Sequence, residues 1–214
     1  MNNTWPFARE GIPFIAISAG ATLLCSYLGL LFLSVLAGSI CIFIIFFFRD
    51  PDRKKVADYK AVLAPADGTI VEVQHIKSDD NHLGQPAIKV SIFMSVFNVH
   101  VNRIPAGSTI KKITYHAGNF FSANLDKASK YNENNRIILQ TPDSRTIVLI
   151  QIAGLIARRI SCWVKEGEQV NAGQRFGLIR FGSRVELYLP GDSQVLAQLR
   201  QKVRAGETII GYLS

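Results

Sequence analysis

Residues 11–48 contain no charged side chain, and no other feature restricts the architecture so strongly. A helix rises about 1.5 Å per residue, so one helix over the whole run would extend well past a hydrocarbon core of roughly 30 Å. Two short helices meeting near Ser26 to Gly29 fit the length better. Arg9 precedes the run, and Arg49, Arg53, Lys54 and Lys55 follow it. Positive residues at both ends favour keeping both ends on the cytoplasmic side. The expectation is an N-terminal α-helical hairpin over residues 1–48, spanning or dipping into the cell membrane. A cleaved signal peptide fits less well, because the run is too long and lacks a clear cleavage boundary. The other reading is a buried helical pair in a soluble core.

The remainder, residues 49–214, reads as one compact β-rich domain. The net charge of +8 suits nucleic acid or an anionic membrane surface. The apolar segment tips that choice towards membrane. No aromatic-rich RNA-binding signature or DNA-binding motif accompanies the charge, so nucleic acid is not an expected partner. Cys25 and Cys41 lie inside the apolar run and Cys162 stands beside Trp163, with no Cys-x-x-Cys spacing. Neither a disulfide framework nor a zinc site is expected, and a reducing compartment fits.

Arg49-Asp50-Pro51-Asp52-Arg53 is a polar exit in which proline stops a helix. Strand signals follow at 60–63, 69–75, 87–93, 99–103, 108–115, 136–140 and 146–153, and again at 185–189 and 208–213. Pro65-Ala66-Asp67-Gly68 is a turn between the first two. The polar stretch 121–135 reads as a loop with little regular structure. Residues 164–174 and 203–211 share a "strand, turn, valine, small-Gly" pattern resembling biotinyl and lipoyl-type hairpins. Neither copy offers a modifiable lysine beside methionine at a hairpin tip, so a swinging-arm carrier is disfavoured. Together these signals describe a mainly β, sandwich- or barrel-like domain.

Near the C-terminus stands Phe181-Gly182-Ser183-Arg184, flanked by apolar strand-like runs. Its ordinary meaning is a tight bend. Its chemical meaning requires the Gly182 carbonyl to be held against the Ser183 hydroxyl, so that the peptide rearranges to an ester. Elimination then breaks the chain and leaves a residue that hydrolyses to a pyruvoyl group at position 183.

Several other segments bear on that choice: Phe47-Phe48-Arg49-Asp50-Pro51-Asp52-Arg53, Ala64-Pro65-Ala66-Asp67-Gly68, Phe93-Met94-Ser95, Asn98-Val99-His100-Val101-Asn102-Arg103 to Pro105, residues 152–160, and Gly173-Gln174-Arg175-Phe176-Gly177. Taken together and in this order, they resemble the short form of the phosphatidylserine decarboxylases, over most of the chain after about residue 45. The resemblance implies a β-rich proenzyme that cuts itself into a large chain, 1–182, and a small chain, 183–214. It implies a covalent pyruvoyl cofactor derived from Ser183. It also implies decarboxylation of phosphatidylserine to phosphatidylethanolamine through a Schiff base on that group, at a membrane. A homo-oligomer is compatible with it.

Of the four histidines, His75 and His82 read as solvated, while His100 lies in an apolar alternating run. A lone histidine there is more often structural. The resemblance reverses this, because His100 aligns with the first histidine of the family's His-Arg-Val-His-Met-Pro motif. The second histidine position holds Arg103 here, a departure from that pattern. Either His100 then serves both as proton acceptor for Ser183 and as acid in turnover, or another group substitutes for the missing histidine, with His116 as the spare candidate. Asp67 reads as an Asx turn by itself. By resemblance it orients and charge-balances His100, as the acid does in a hydrolase triad. Arg49, Arg53, Arg103, Arg158 and Arg159 are candidates for neutralising lipid phosphate or substrate carboxylate. Two competing readings are a non-enzymatic membrane-anchored β-sandwich adaptor and a peptidase using Ser183 in trans, although Ser183 lacks a Gly-x-Ser-x-Gly frame.

Overall fold

The computed structural model describes residues 6–54, 56–58, 60–78, 82–119, 121, 131–154, 159–180 and 182–214. The chain divides into two units, Met1–Asp52 and Arg53–Ser214.

In the first unit a short 3-10 turn, Arg9–Gly11, leads into α1 (Ile12–Tyr27). Pro13 sits in the first turn of α1, where its missing N–H breaks no helical bond. Gly29 ends the helix in the left-handed region, at φ +71, and α2 (Leu31–Phe47) returns along α1. The junction lies where the sequence expects it. The two helices approach closely because small residues face the seam. A Cβ on Gly38 would lie 3.6 Å from Thr22 Cγ2, and Ser34 Oγ donates to the Thr22 carbonyl at 3.4 Å. Ser18 and Thr22 hydroxyls donate back to the carbonyls of Phe14 and Ser18, both at 2.8 Å, so these two hydroxyls are satisfied within the helix. At the open end the Phe14 and Phe48 rings stack at 5.7 Å. The backbone N–H groups of Ala8 and Asp50 then tie the two ends together through the carbonyls of Phe48 and Pro6.

The second unit is mainly β, as the strand signals require. Its strands are β1 (Ala61–Leu63), β2 (Gly68–Ile76), β3 (Ala87–Met94), β4 (Val101–Arg103), β5 (Ser108–His116), β6 (Asn134–Gln140), β7 (Thr146–Ala153), β8 (Ile160–Cys162), β9 (Gln169–Val170), β10 (Arg175–Ile179), β11 (Ser183–Pro190), β12 (Gln194–Val195), β13 (Lys202–Val203) and β14 (Ile209–Tyr212). A curled eight-stranded antiparallel sheet runs β13-β2-β3-β11-β7-β6-β5-β9. Two three-stranded sheets, β4-β10-β8 and β1-β14-β12, complete it. Ile92, Ile137, Leu149 and Leu187 of the large sheet share one core with Phe176 of β10 and Ile210 of β14.

Strand β11 is the axis of this unit. It is buried at every position, because β3 and β7 flank it and both its faces are covered. Its register runs from Ser183 opposite Met94 and Ala153 to Pro190 opposite Ala87. Strands β10 and β11 are neighbours in sequence but not hairpin partners. β10 belongs to the small sheet and β11 to the large one. The two sequence echoes meet at Gly173 and Gly206. Both have positive φ, and a Cβ on Gly206 would fall 3.3 Å from the Gly173 Cα, so neither position tolerates a side chain.

Candidate active site

Ser183 opens β11 and is wholly buried on the core face. Its Oγ donates to the Met94 Sδ at 3.4 Å. Gly182, just before it, has φ +55, a conformation that glycine adopts without penalty and an L side chain resists. Chain neighbours aside, a Cβ built there would meet no described residue within 4 Å. Phe181 lies outside the described residues.

His100 immediately precedes β4 and is wholly buried. Its carbonyl accepts from Ile179 N at 3.4 Å, four residues before Ser183. Nδ1 faces the Asn98 carbonyl at 3.0 Å. A carbonyl only accepts, so the neutral ring carries its proton on Nδ1 and Nε2 is the basic nitrogen.

Asp67 does not make the expected hydrogen bond to His100. Its Oδ2 is 2.8 Å from Arg53 Nη2, and its Oδ1 accepts from the same nitrogen at 2.9 Å and from Ala205 N at 2.7 Å. The two side chains are only 9% and 12% exposed, and Glu207 approaches Arg53 at 3.5 Å. With these partners the carboxylate ties the 65–67 turn to Arg53 and to the C-terminal segment.

His116 stands apart from Ser183. Residues paired directly across strands share a face. His116 pairs with Asn134, Asn134 with Ile152, and Ile152 with Arg184, so His116 lies on the Arg184 face, opposite the Ser183 side chain. Three strand spacings, about 14 Å, separate the two strands. His116 instead lines a cavity of about 500 Å³ with His82, Arg136 and Tyr188. Burial, and then the Arg136 charge, lower the pKa of His82 below the usual value. On the same sheet face Lys89 bridges Glu72 at 2.8 Å and Glu186 at 3.3 Å, while Tyr188 donates to Glu186 at 2.9 Å. Burial, then the Glu186 charge, push the Tyr188 phenol far above its usual range.

Three of the candidate arginines have structural partners. Arg49 donates to the Phe46 carbonyl at 2.7 Å and lies over the Phe46 ring. Arg53 holds Asp67, and Arg103 donates to the Gly173 carbonyl at 3.0 Å. Arg159 is exposed, and Arg158 lies outside the described residues, as do positions 122–130 of the expected loop.

Sequence reasoning missed a buried polar chain ending at Ser183. Asn135 Nδ2 donates to Gln151 Oε1 at 3.0 Å, Gln151 Nε2 to Asn102 Oδ1 at 2.8 Å, and Asn102 Nδ2 to Met94 Sδ at 3.6 Å. The available signal was Gln151 itself, an amide within an otherwise apolar strand. Such a residue is kept in a core only with partners.

Residues 40–211 match the family model described as phosphatidylserine decarboxylase. A phosphatidylserine decarboxylase proenzyme of Syntrophus aciditrophicus is 48% identical over 207 residues, 95% of this chain and 96% of the relative. The proenzyme of Desulfotalea psychrophila is 46% identical over 213 residues, 97% of each chain. That of Burkholderia vietnamiensis is 46% identical over 214 residues, 100% of this chain and 99% of the relative. Similarity of this order from end to end means that the chain belongs to the phosphatidylserine decarboxylase family.

Proposed function

We propose that this chain is a proenzyme that cuts itself between Gly182 and Ser183 and then converts phosphatidylserine to phosphatidylethanolamine. The observation that carries the reading is Gly182–Ser183 at the entry to β11, in a chain of this family. Ser183 Oγ attacks the Gly182 carbonyl carbon, its proton passes to His100 Nε2, and the C–N bond breaks as the amine of residue 183 is protonated. The product is an ester. Removal of the α-proton of residue 183 expels Gly182 as a carboxylate. The remaining enamine tautomerises, takes up water and releases ammonia, leaving a pyruvoyl group.

The surroundings fit that group. Backbone pairing to Met94 and Ala153 holds residue 183 from both sides, and no described residue beyond the chain neighbours crowds a Cβ built at Gly182, on the side we assign to the substrate amine. The pyruvoyl group supplies an electron sink for loss of carbon dioxide. His100, buried beside the same segment, donates the proton that replaces the lost carboxylate. Asp67 acts as a positioning residue, joining the turn at 65–67 to Ala205 across the two product chains.

The small chain, 183–214, stays bound. β11 lies between β3 and β7, β13 pairs with β2, and β14 pairs with β1, so every one of these sheets joins the two pieces. We further read the meeting of Gly173 and Gly206 as a biotinyl/lipoyl-like hairpin arrangement.

The helical unit lies in the cell membrane, with the catalytic unit on the cytoplasmic side. Ile17, Leu23, Leu31, Phe32 and Ile42 are each at least 70% exposed, an apolar surface that suits lipid. Arg9–Tyr27 is long and apolar enough to cross a membrane, at about 1.5 Å per residue. Arg9 and Arg49 at the hairpin's open end agree with a cytoplasmic orientation.

Denaturing electrophoresis with mass spectrometry of the small fragment tests the processing, and carbon dioxide release from phosphatidylserine tests the activity. Active protein consisting of one uncut chain with an intact Ser183 would refute the reading.

A further inference from the structure

We propose that Met94, pinned by Asn102 at the end of the buried amide chain, is a positioning residue that sets the Ser183 hydroxyl for self-cleavage. The inference rests on the self-cleaving reading above. Met94 Sδ accepts from two sides, from Ser183 Oγ at 3.4 Å and from Asn102 Nδ2 at 3.6 Å. Asn135, Gln151, Asn102, Met94 and Ser183 are all 2% exposed or less.

The direction of the chain is set from its far end. A carboxamide has one accepting and one donating end. Asn135 donates to the Gln151 oxygen, so Gln151 offers its NH₂ onward. Gln151 in turn occupies the Asn102 oxygen, which turns the Asn102 NH₂ towards the sulfur. A Cβ on Gly177 of β10 would clash first with the Ser161 carbonyl oxygen and would lie 3.0 Å from Gln151 Nε2, so glycine at 177 leaves room for both.

Methionine has three rotatable side-chain bonds, and a thioether contact alone would leave the serine rotor loosely defined. Held by Asn102, the sulfur becomes a fixed acceptor. It cannot donate, so the Ser183 O–H must point to it and the oxygen lone pairs point elsewhere. A thioether is too weak a base to take the proton. The hydroxyl therefore stays protonated and oriented until the base removes its proton. After cleavage residue 183 has no hydroxyl, and the contact has no further role.

Met94 is the only methionine besides Met1, which makes both tests site-specific. Met94→Leu keeps nearly the same volume and removes the acceptor. Self-cleavage of newly synthesised precursor, followed by electrophoresis, should slow roughly three- to tenfold, the range of one weak hydrogen bond. Decarboxylation per mole of pyruvoyl should fall by less than the cleavage rate does. Asn102→Leu should also slow cleavage, and Met94→Leu/Asn102→Leu should be no slower than the worse single variant, because the two act in series. Equal cleavage rates for wild type and Met94→Leu overturn the proposal, and so do fully additive effects in the double variant. If the leucine variants do not fold, the 13C-methyl signal of Met94 decides in the uncut Ser183→Ala precursor. It should be one sharp resonance that shifts or broadens on Asn102→Asp, and an unchanged signal overturns the proposal. Wild-type precursor that never cuts would instead overturn the self-cleavage reading on which this one rests.

Discussion

Replacing Asp67 by Asn separates two roles for this carboxylate. The substitution keeps an oxygen to accept from Ala205 N–H and removes the charge opposite Arg53. The side chains are 9% and 12% exposed, so the pair is largely shielded from water. Breaking such a pair costs about 3–5 kcal/mol when one charge is left alone. Here Glu207, 3.5 Å from Arg53, retains part of the compensation. The expected loss is therefore about 2–3 kcal/mol, since the remaining acid and the retained hydrogen bond offset part of the full cost. For a chain of this size each kcal/mol moves the Tm by about 2–4 °C, so a drop of about 4–12 °C is expected in detergent-solubilised protein. Arg53→Met and the double variant complete a cycle, in which the double loss should fall short of the sum by at least about 1 kcal/mol. Processing at reduced temperature should persist in Asp67→Asn, slowed less than in His100→Ala. An unchanged Tm together with abolished processing would refute the positioning role and restore Asp67 as the acid that acts on His100.

Ser183→Ala should give one full-length inactive chain on denaturing gels, whereas Ser183→Thr should cut slowly and leave a keto-acyl group one methyl larger by mass spectrometry. His100→Ala should block cleavage or turnover, while His116→Ala, altered on the far sheet face, should process at the wild-type rate; the reverse ranking in a gel time course would discard His100. Burial would raise the pKa of Glu72, but hydrogen bonds from Lys89 and Ser91 and the charges of Lys89 and Arg184 outweigh it, so the folded pKa lies below 4.5. That contribution is present above the unfolded value and lost as pH falls through the folded one, so Tm should decline below about pH 4.5 and Glu72→Gln should flatten the decline. Carbonate washing should leave the chain in the membrane fraction, and release into the supernatant would exclude the bilayer placement of α1 and α2.

Local pattern was enough to reveal the helices and most strands. The uncharged run at 11–48 admits little besides apolar helices, and the valine- and isoleucine-rich runs marked strands whose ends shift by only a residue or two. Motif order was enough to reveal the family and the Gly182–Ser183 pair, because both are properties of sequence alone. Partner choice was not legible. Alternation shows which side of a strand faces a core and says nothing about which strand lies beside it. It therefore could not show that β10 and β11 belong to different sheets, with Ser183 between Met94 and Ala153. The same limit applied to Asp67 and His100, matched to one triad by their motifs. Tertiary packing instead brought Arg53 and Ala205 to Asp67, and the carboxylate bonds to them. Face was decided in space as well, since His116 lies across the sheet from the Ser183 side chain. The amide chain from Asn135 to Met94 joins residues from four strands, so only the folded chain could bring them within hydrogen-bonding distance.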